Sequence, residues 1–319
     1  MRNRYALLTV DTEALPKRAS DDHVNRLMWG RHEKGTAGIG EMSAIGKEFC
    51  VAHVFFVDQC GAYARLDETR EVVRWLAAAG QDVQLHTHPE YLPKDFWAEH
   101  GLDASPEYMN QYTEDARAEF VLRHFGGLIS GVTGKPILAH RAGSFRWNAC
   151  TIRALKAAGI PLSFNNSMCA MYAGQCVYSA PTEVPYQWSN GVIEVPATEK
   201  RILPKVGKDE WWARLTYPES SYFKFRPWWG KLLLDAFSGS PAFSVFLLHS
   251  WSLLYWDENG HATYRDDQRL EGYRKLLARV TKDYDVITSR EFLDLHARGK
   301  IKTTRTVDVS LAEYRPAIG

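Results

Sequence analysis

Apolar, β-favouring runs recur along this chain, helix-length segments separate them, and several of the runs end at ionisable side chains. Tyr5-Ala6-Leu7-Leu8-Thr9-Val10 leads into Asp11 and Glu13, Gln81 to Leu85 into His86 and His88, Ile137 to His140 into Arg141, and Ser244 to Leu248 into His249. Val51 to Phe56, Leu162 to Phe164, Ile193 to Val195 and Val286-Ile287 read as further strands. Helical spacing is expected over 41–48, over Thr69 to Ala79 with Gly80 as the stop, and from about Tyr112 to Phe125. It recurs over Ala149 to Ala158 and Asp266 to Thr281, and a last helix begins at Ser289, where Ser289-Arg290-Glu291 places a cap and an acidic first turn. Strands alternating with helices at this spacing predict an α/β fold: a largely parallel sheet with helices outside it, closed as a barrel or open and doubly wound. In both, functional groups collect at the carboxyl ends of strands. Asp11, Glu13, His86, His88, Arg141 and His249 all fall there.

Side chains alternate faces along a strand, so in His86-Thr87-His88-Pro89 the two imidazoles point the same way. Pro89 biases His88 toward extended geometry. Two neutral imidazoles side by side form a natural bite for a metal ion, against the plainer reading of two histidines at a strand end with no ligand. Asp11-Thr12-Glu13 repeats the geometry with carboxylates. Carboxylates are poor strand formers and costly to bury unpaired, so two at the tip of an apolar strand call for a partner charge. A metal held by one carboxylate and two histidines is such a partner. The competing reading makes Asp11 and Thr12 the cap of a turn.

With 319 residues and 45% hydrophobic content the chain suits one α/β domain with a real core. Its 39 Lys plus Arg nearly cancel its 38 Asp plus Glu, so no overall field points to nucleic acid. The basic Met1-Arg2-Asn3-Arg4 leads into an apolar run only a strand long, without the pattern of a signal peptide, which predicts a cytoplasmic protein. No uninterrupted apolar stretch is long enough to span a bilayer, so no integral membrane segment is expected. Five cysteines without C-x-x-C spacing fit reduced packing residues. No G-x-G-x-x-G follows a strand, and neither a P-loop nor a G-x-S-x-G elbow is present.

Four segments, in order, resemble the motifs of the polysaccharide deacetylase family, also known as the NodB-homology domain or carbohydrate esterase family 4. They are Thr9-Val10-Asp11-Thr12-Glu13, His86-Thr87-His88-Pro89, His140-Arg141-Ala142-Gly143-Ser144-Phe145 and Leu247-Leu248-His249-Ser250-Trp251. Ile193-Glu194-Val195-Pro196 resembles a strand that lies between the last two, and the likeness covers roughly residues 5 to 295. The resemblance implies a distorted (β/α) barrel and divalent-metal-dependent hydrolysis of an N-acetyl or O-acetyl group on a sugar. It implies Asp11 as base, Arg141 as its orienting partner and His249 as acid. Glu13, His86 and His88 would hold one divalent ion per chain, zinc being the expected one. Phe145, Trp251 and Trp188 are the expected substrate contacts. The chain departs from the family at two places. Thr12 stands where many members have a second aspartate, so the carboxylate ligand is Glu13 or Asp11. One residue in place of three separates His86 from His88, which leaves Glu90, His140 and His100 as substitutes for one ligand. Acidic residues two apart are similar to those of deacetylases of surface glycans, including O-antigen biosynthesis.

One domain over 1–319 is expected, with an aromatic-rich insertion at about 197–240. Trp188, Trp211, Trp212, Trp228 and Trp229 would stack on sugars or pack the insertion onto the barrel. Arg201, Lys205 and Lys208 would meet a diphosphate or form a solvated basic face. The expected partner is an acetylated sugar or glycan precursor. The alternatives are an allantoinase-like hydrolase of another C–N bond and an inactive glycan-binding scaffold of the same fold.

Overall fold

The computed structural model describes residues 4–19, 22–202, 211–218, 230–233 and 242–314. Its main sheet is built from β1 (Arg4–Thr12), β2 (Val54–Asp58), β3 (Asp82–Thr87), β4 (Ala139–Ala142), β5 (Leu162–Ser163), β6 (Tyr186–Trp188), β7 (Ile193–Glu194), β8 (Ala242–His249), β9 (Asp285–Val286) and β10 (Thr306–Val307). The spatial order is β8-β1-β2-β3-β4-β5-β7-β6-β10, with β9 also beside β1. Every pairing from β8 through to β7 is parallel, and β6 turns back antiparallel on β7. The sheet curls into the expected distorted (β/α) barrel. Helices α1 (Ile39–Glu48), α2 (Leu66–Ala78), α3 (Asp115–Thr133), α4 (Ala149–Ala157), α5 (Asp267–Asp283) and α6 (Ser289–Ala297) connect or follow the strands.

β1 is buried at eight of its nine positions, as only a strand covered on both faces can be. The two-residue alternation sorts those positions. Tyr5 and Leu7 join Val54, Phe56, Ala139, Leu162, Phe164, Val245 and Phe243 in a core inside the curl. Ala6, Leu8 and Val10 join Phe55, Val57, Val83 and Leu85 in a larger core under the helices. Thr9, Asp11 and Arg141 therefore continue the inner series, whereas His140 falls into the outer one.

Closure of the curl is made after β7. Thr198 accepts from Leu215 N through its carbonyl (2.8 Å) and from Val245 N through its hydroxyl (2.9 Å). Leu215 O in turn accepts from Leu247 N of β8 (3.0 Å), and Leu247 O accepts from Tyr217 N (3.1 Å). Between Thr198 and Leu215, Glu199–Ile202 and Trp211–Arg214 pair as an antiparallel hairpin. Lys205, Lys208, Trp228 and Trp229 lie outside the described residues.

Two helices differ from expectation. The third begins at Asp115 and continues to Thr133, past Gly126 and Gly127. Poor helix formers are tolerated there because α3 lies on β3, and a Cβ at Gly126 would make ordinary contacts with Ile137 and Leu85. The cap of α6 is Thr288 instead of Ser289: its hydroxyl accepts from Glu291 N, and the Glu291 carboxylate accepts from Thr288 N. All five cysteines are free. Among the described residues no helix is long and apolar enough to cross a membrane.

Candidate metal centre and active site

Parallel register sets the inner residues of five neighbouring strands in two successive rows, the Asp11 row level with Phe56 and the Asp58 row two residues further on. Asp11 pairs with His249, Asp58 with His86, and His86 with Arg141. Glu13, just beyond β1, stands over these rows and meets both histidines. Glu13 Oε2 lies 2.5 Å from His88 Nε2 and 3.5 Å from His86 Nε2. All three side chains are buried, and their ligand atoms lie within 4.8 Å of one another.

The far nitrogen of each imidazole is committed elsewhere. His86 Nδ1 donates to the Arg141 carbonyl (2.7 Å) and His88 Nδ1 to Glu90 Oε1 (2.8 Å), since both partners accept. That assignment leaves both Nε2 atoms aimed at Glu13, and outer carbonyl and carboxylate partners of this kind orient metal-binding histidines. Glu13 Oε2 is buried and receives no hydrogen bond of good geometry, despite its closeness to His88. Burial raises the Glu13 pKa, but His88 and His86 outweigh it and hold the carboxyl well below its ordinary range. Burial depresses the His88 pKa, but Glu13 and Glu90 outweigh it and lift the imidazole well above its ordinary range. Convergent, anionic and lacking a well-aligned donor, the group fits a divalent cation, which would take the place of the imidazole proton.

Arg141, 1% exposed, reaches across the inner row. Its Nη1 donates to Asp11 Oδ1 (2.7 Å) and its Nη2 to Thr9 Oγ1 (2.8 Å), while the Phe56 ring lies 4.5 Å below the guanidinium. Thr9 passes its own proton to the Phe246 carbonyl, so its oxygen is free to accept. His249 flanks the other side, with Nε2 3.6 Å from Glu13 Oε1. The Trp251 ring stacks on it at 5.0 Å and 13°. Surrounding protein lowers the His249 pKa, and water reaching 35% of the side chain limits that effect. A tight turn holds the pair, Ser252 Oγ accepting from His249 N and Asp11 O from Ser250 N.

Two further residues support His88 and were not read from the sequence. Asp58, fully buried, accepts through Oδ1 from His88 N (3.1 Å) and Cys60 N (2.9 Å), and through Oδ2 from Gly61 N (2.9 Å). Burial raises its pKa. It too sits at the carboxyl end of a strand, which is the signal that marked the others. At Gly143 a Cβ would lie 2.4–2.5 Å from atoms of the His88 ring, so only glycine allows that imidazole its place.

Among the expected substrate contacts, Trp251 walls His249 and is 7% exposed. Phe145 is 4% exposed, with the Arg214 guanidinium 4.2 Å over its ring and Arg141 at 5.9 Å. Trp188 corrects the expectation: it is fully buried, donates from Nε1 to Glu194 Oε2 (3.0 Å) and packs on Trp147, Tyr178 and Tyr186. Its face is core and offers nothing to a sugar. The substitute ligands resolve as well. His140 points outward to the Thr87 hydroxyl (2.9 Å), His100 packs on Phe96, Phe120 and His124, and Glu90 stands behind His88.

No family model matches the sequence, and no curated protein matches it. Solved structures do resemble the fold. A putative polysaccharide deacetylase from Mycobacterium smegmatis superposes with a TM-score of 0.57 at 15% identity, covering 100% of this chain and 96% of that one. A probable polysaccharide deacetylase from Pseudomonas aeruginosa PAO1 gives 0.55 at 13% identity, with 94% of each chain covered. The Puue allantoinase gives 0.53 at 16% identity, over 94% of this chain and 93% of that one. The barrel thus has the fold of these solved structures.

Proposed function

We propose that this chain is a metal-dependent carbohydrate deacetylase that removes an N-acetyl or O-acetyl group from a sugar in the cytoplasmic synthesis of a surface glycan such as an O-antigen. The observation that carries this reading is the convergence of Glu13, His86 and His88 beside the Asp11–Arg141 pair and the half-open His249. A divalent ion, zinc in this reading, bound by Glu13, His86 and His88 would polarise the acetyl carbonyl and make water a stronger acid. Asp11 is the base. Arg141 occupies its Oδ1 and fixes the carboxylate plane, so Oδ2 is the oxygen that takes the proton of the attacking water. His249, whose Nε2 lies 3.6 Å from Glu13 Oε1, gives a proton to the leaving amine or alcohol. Trp251, stacked on His249, and Phe145, beside Arg141, are the rings that would meet a sugar in this reading.

The test is bound metal by elemental analysis in the wild type and in His86→Ala with His88→Ala, followed by acetate release from acetamido and O-acetyl sugars, with allantoin as the competing substrate. Metal lost with the two histidines and acetate released from a sugar support the proposal. A wild type that holds no metal after reconstitution, or that hydrolyses allantoin alone, refutes it.

A further inference from the structure

The short helical turn Pro16–Arg18 begins three residues after Glu13, and each of its two adjacent cations rests on a ring in the chain of contacts that leads to the site. Lys17 Nζ lies 5.8 Å over the Tyr91 ring, and Tyr91 lies 5.7 Å from the His88 ring. The Arg18 guanidinium lies 5.3 Å over the Trp256 ring, which meets Trp251 edge-on at 6.1 Å, the ring stacked on His249. One cation is thus one ring from a candidate metal ligand, and the other is two rings from the candidate acid. Elsewhere arginines are held by carboxylates: Arg65 by Asp22, Arg153 by Asp115, and Arg274 by Glu48. Among the described residues no carboxylate pairs with Lys17 or Arg18, and the Nε of Arg18 is buried without a hydrogen-bond partner. An aromatic face positions a cation while leaving its charge and its N–H donors available.

We propose that Lys17 and Arg18 form a subsite for an anionic group, a carboxylate or a phosphate, borne by the acetylated glycan next to the sugar that reacts. The inference rests on the deacetylase reading and names its substrate class: an acidic glycan or a sugar phosphate in place of a neutral one. Tyr91 and Trp256, both partly buried, hold the cations in place and offer apolar surface between the anion and the site.

Binding to the full chain is measured by titration calorimetry at low and high salt. The probes are a neutral disaccharide of N-acetylglucosamine, an N-acetylglucosamine–glucuronate disaccharide and UDP-N-acetylglucosamine. At least one anionic probe should bind about tenfold or more tightly than the neutral one, in a salt-sensitive manner. Tighter binding of the uronate assigns a carboxylate, and tighter binding of the nucleotide assigns a phosphate. Lys17→Met with Arg18→Met should remove the preference. Lys17→Met alone, at an exposed position, should reduce it without burdening the fold. Equal binding of neutral and anionic probes by wild type, or a preference unchanged in both variants, overturns the proposal. Acetate release separates the two readings. An anionic preference lost in the variants but with no acetate released from any sugar would leave the subsite standing and sink the deacetylase. Acetate released with no anionic preference would do the reverse.

Discussion

Arg141→Met isolates the pair at the centre of the site. Arg141 and Asp11 are 1% and 4% exposed, joined at 2.7 Å, and the guanidinium rests on Phe56 within the apolar curl. Methionine keeps much of the apolar contact and removes the charge, leaving Asp11 a buried carboxylate without its cation. Breaking a buried pair from one side costs about 3–5 kcal/mol. With a urea m-value of about 3 kcal/mol/M, that moves the unfolding midpoint down by about 1–1.7 M. Thr9 adds little to the loss, because its hydroxyl still donates to the Phe246 carbonyl. Adding Asp11→Asn removes the stranded charge, so the double variant should be more stable than Arg141→Met alone, and the cycle should give a coupling of about 1–3 kcal/mol. Unfolding is followed by fluorescence in the presence of a chelator, so that metal binding makes no contribution. A double variant no more stable than the single one would show that Asp11 does not depend on Arg141, and the role given to that arginine would fall with it.

Three other outcomes are expected. Asp11→Asn alone should abolish acetate release while the protein still retains its metal by elemental analysis; loss of the metal would make Asp11 a ligand. Glu90→Gln should weaken metal affinity about 10- to 100-fold in a competitive chelator titration, because it weakens the acceptor behind His88 Nδ1; an unchanged affinity would mean that this outer bond does not orient the imidazole. His53 is fully buried, its Nε2 2.6 Å from the Tyr273 hydroxyl, and burial pushes its pKa from 6.5 down to about 4. The unfolded chain takes up the proton first as pH falls, so this contribution is complete above about pH 6.5 and is lost between there and about pH 4, some 3 kcal/mol in all. Stability curves of wild type and His53→Phe should diverge by about this amount in total across that window, and parallel curves would contradict it.

The site was legible wherever a two-residue period and a strand end coincide. His86 with His88, and Asp11 with Glu13, needed only the alternation of a strand. His140 and Arg141 needed more. Adjacent residues face opposite ways, and only the register of β4 on β3 shows that Arg141 points inward. Asp58 escaped notice because it acts on backbone amides, which carry no side-chain signature. Glu90 depends on the short turn Pro89–Tyr91 folding its carboxylate back to His88. Composition places Trp188 in an aromatic segment without saying which way it faces; a carboxylate six residues on, Glu194, accepts from its indole in the interior. The longer α3 was missed because helix propensity sees its glycines and not the strand beneath them.

The seam that closes the curl has a bearing on how such a chain can diversify. Thr198, Leu215 and Leu247 are stitched to one another by backbone hydrogen bonds, so each excursion of chain between them starts and ends on the barrel wall. Doubling the length of a loop anchored in this way costs only about 0.6 kcal/mol. Arg214, one residue before the stitch at Leu215, reaches the Phe145 ring from there. Chain between these anchors can therefore be lengthened at little entropic cost, while the carboxylates and imidazoles on the inner strands keep their positions. An engineer seeking to change what the site accepts would graft between these stitches and leave the strand ends alone.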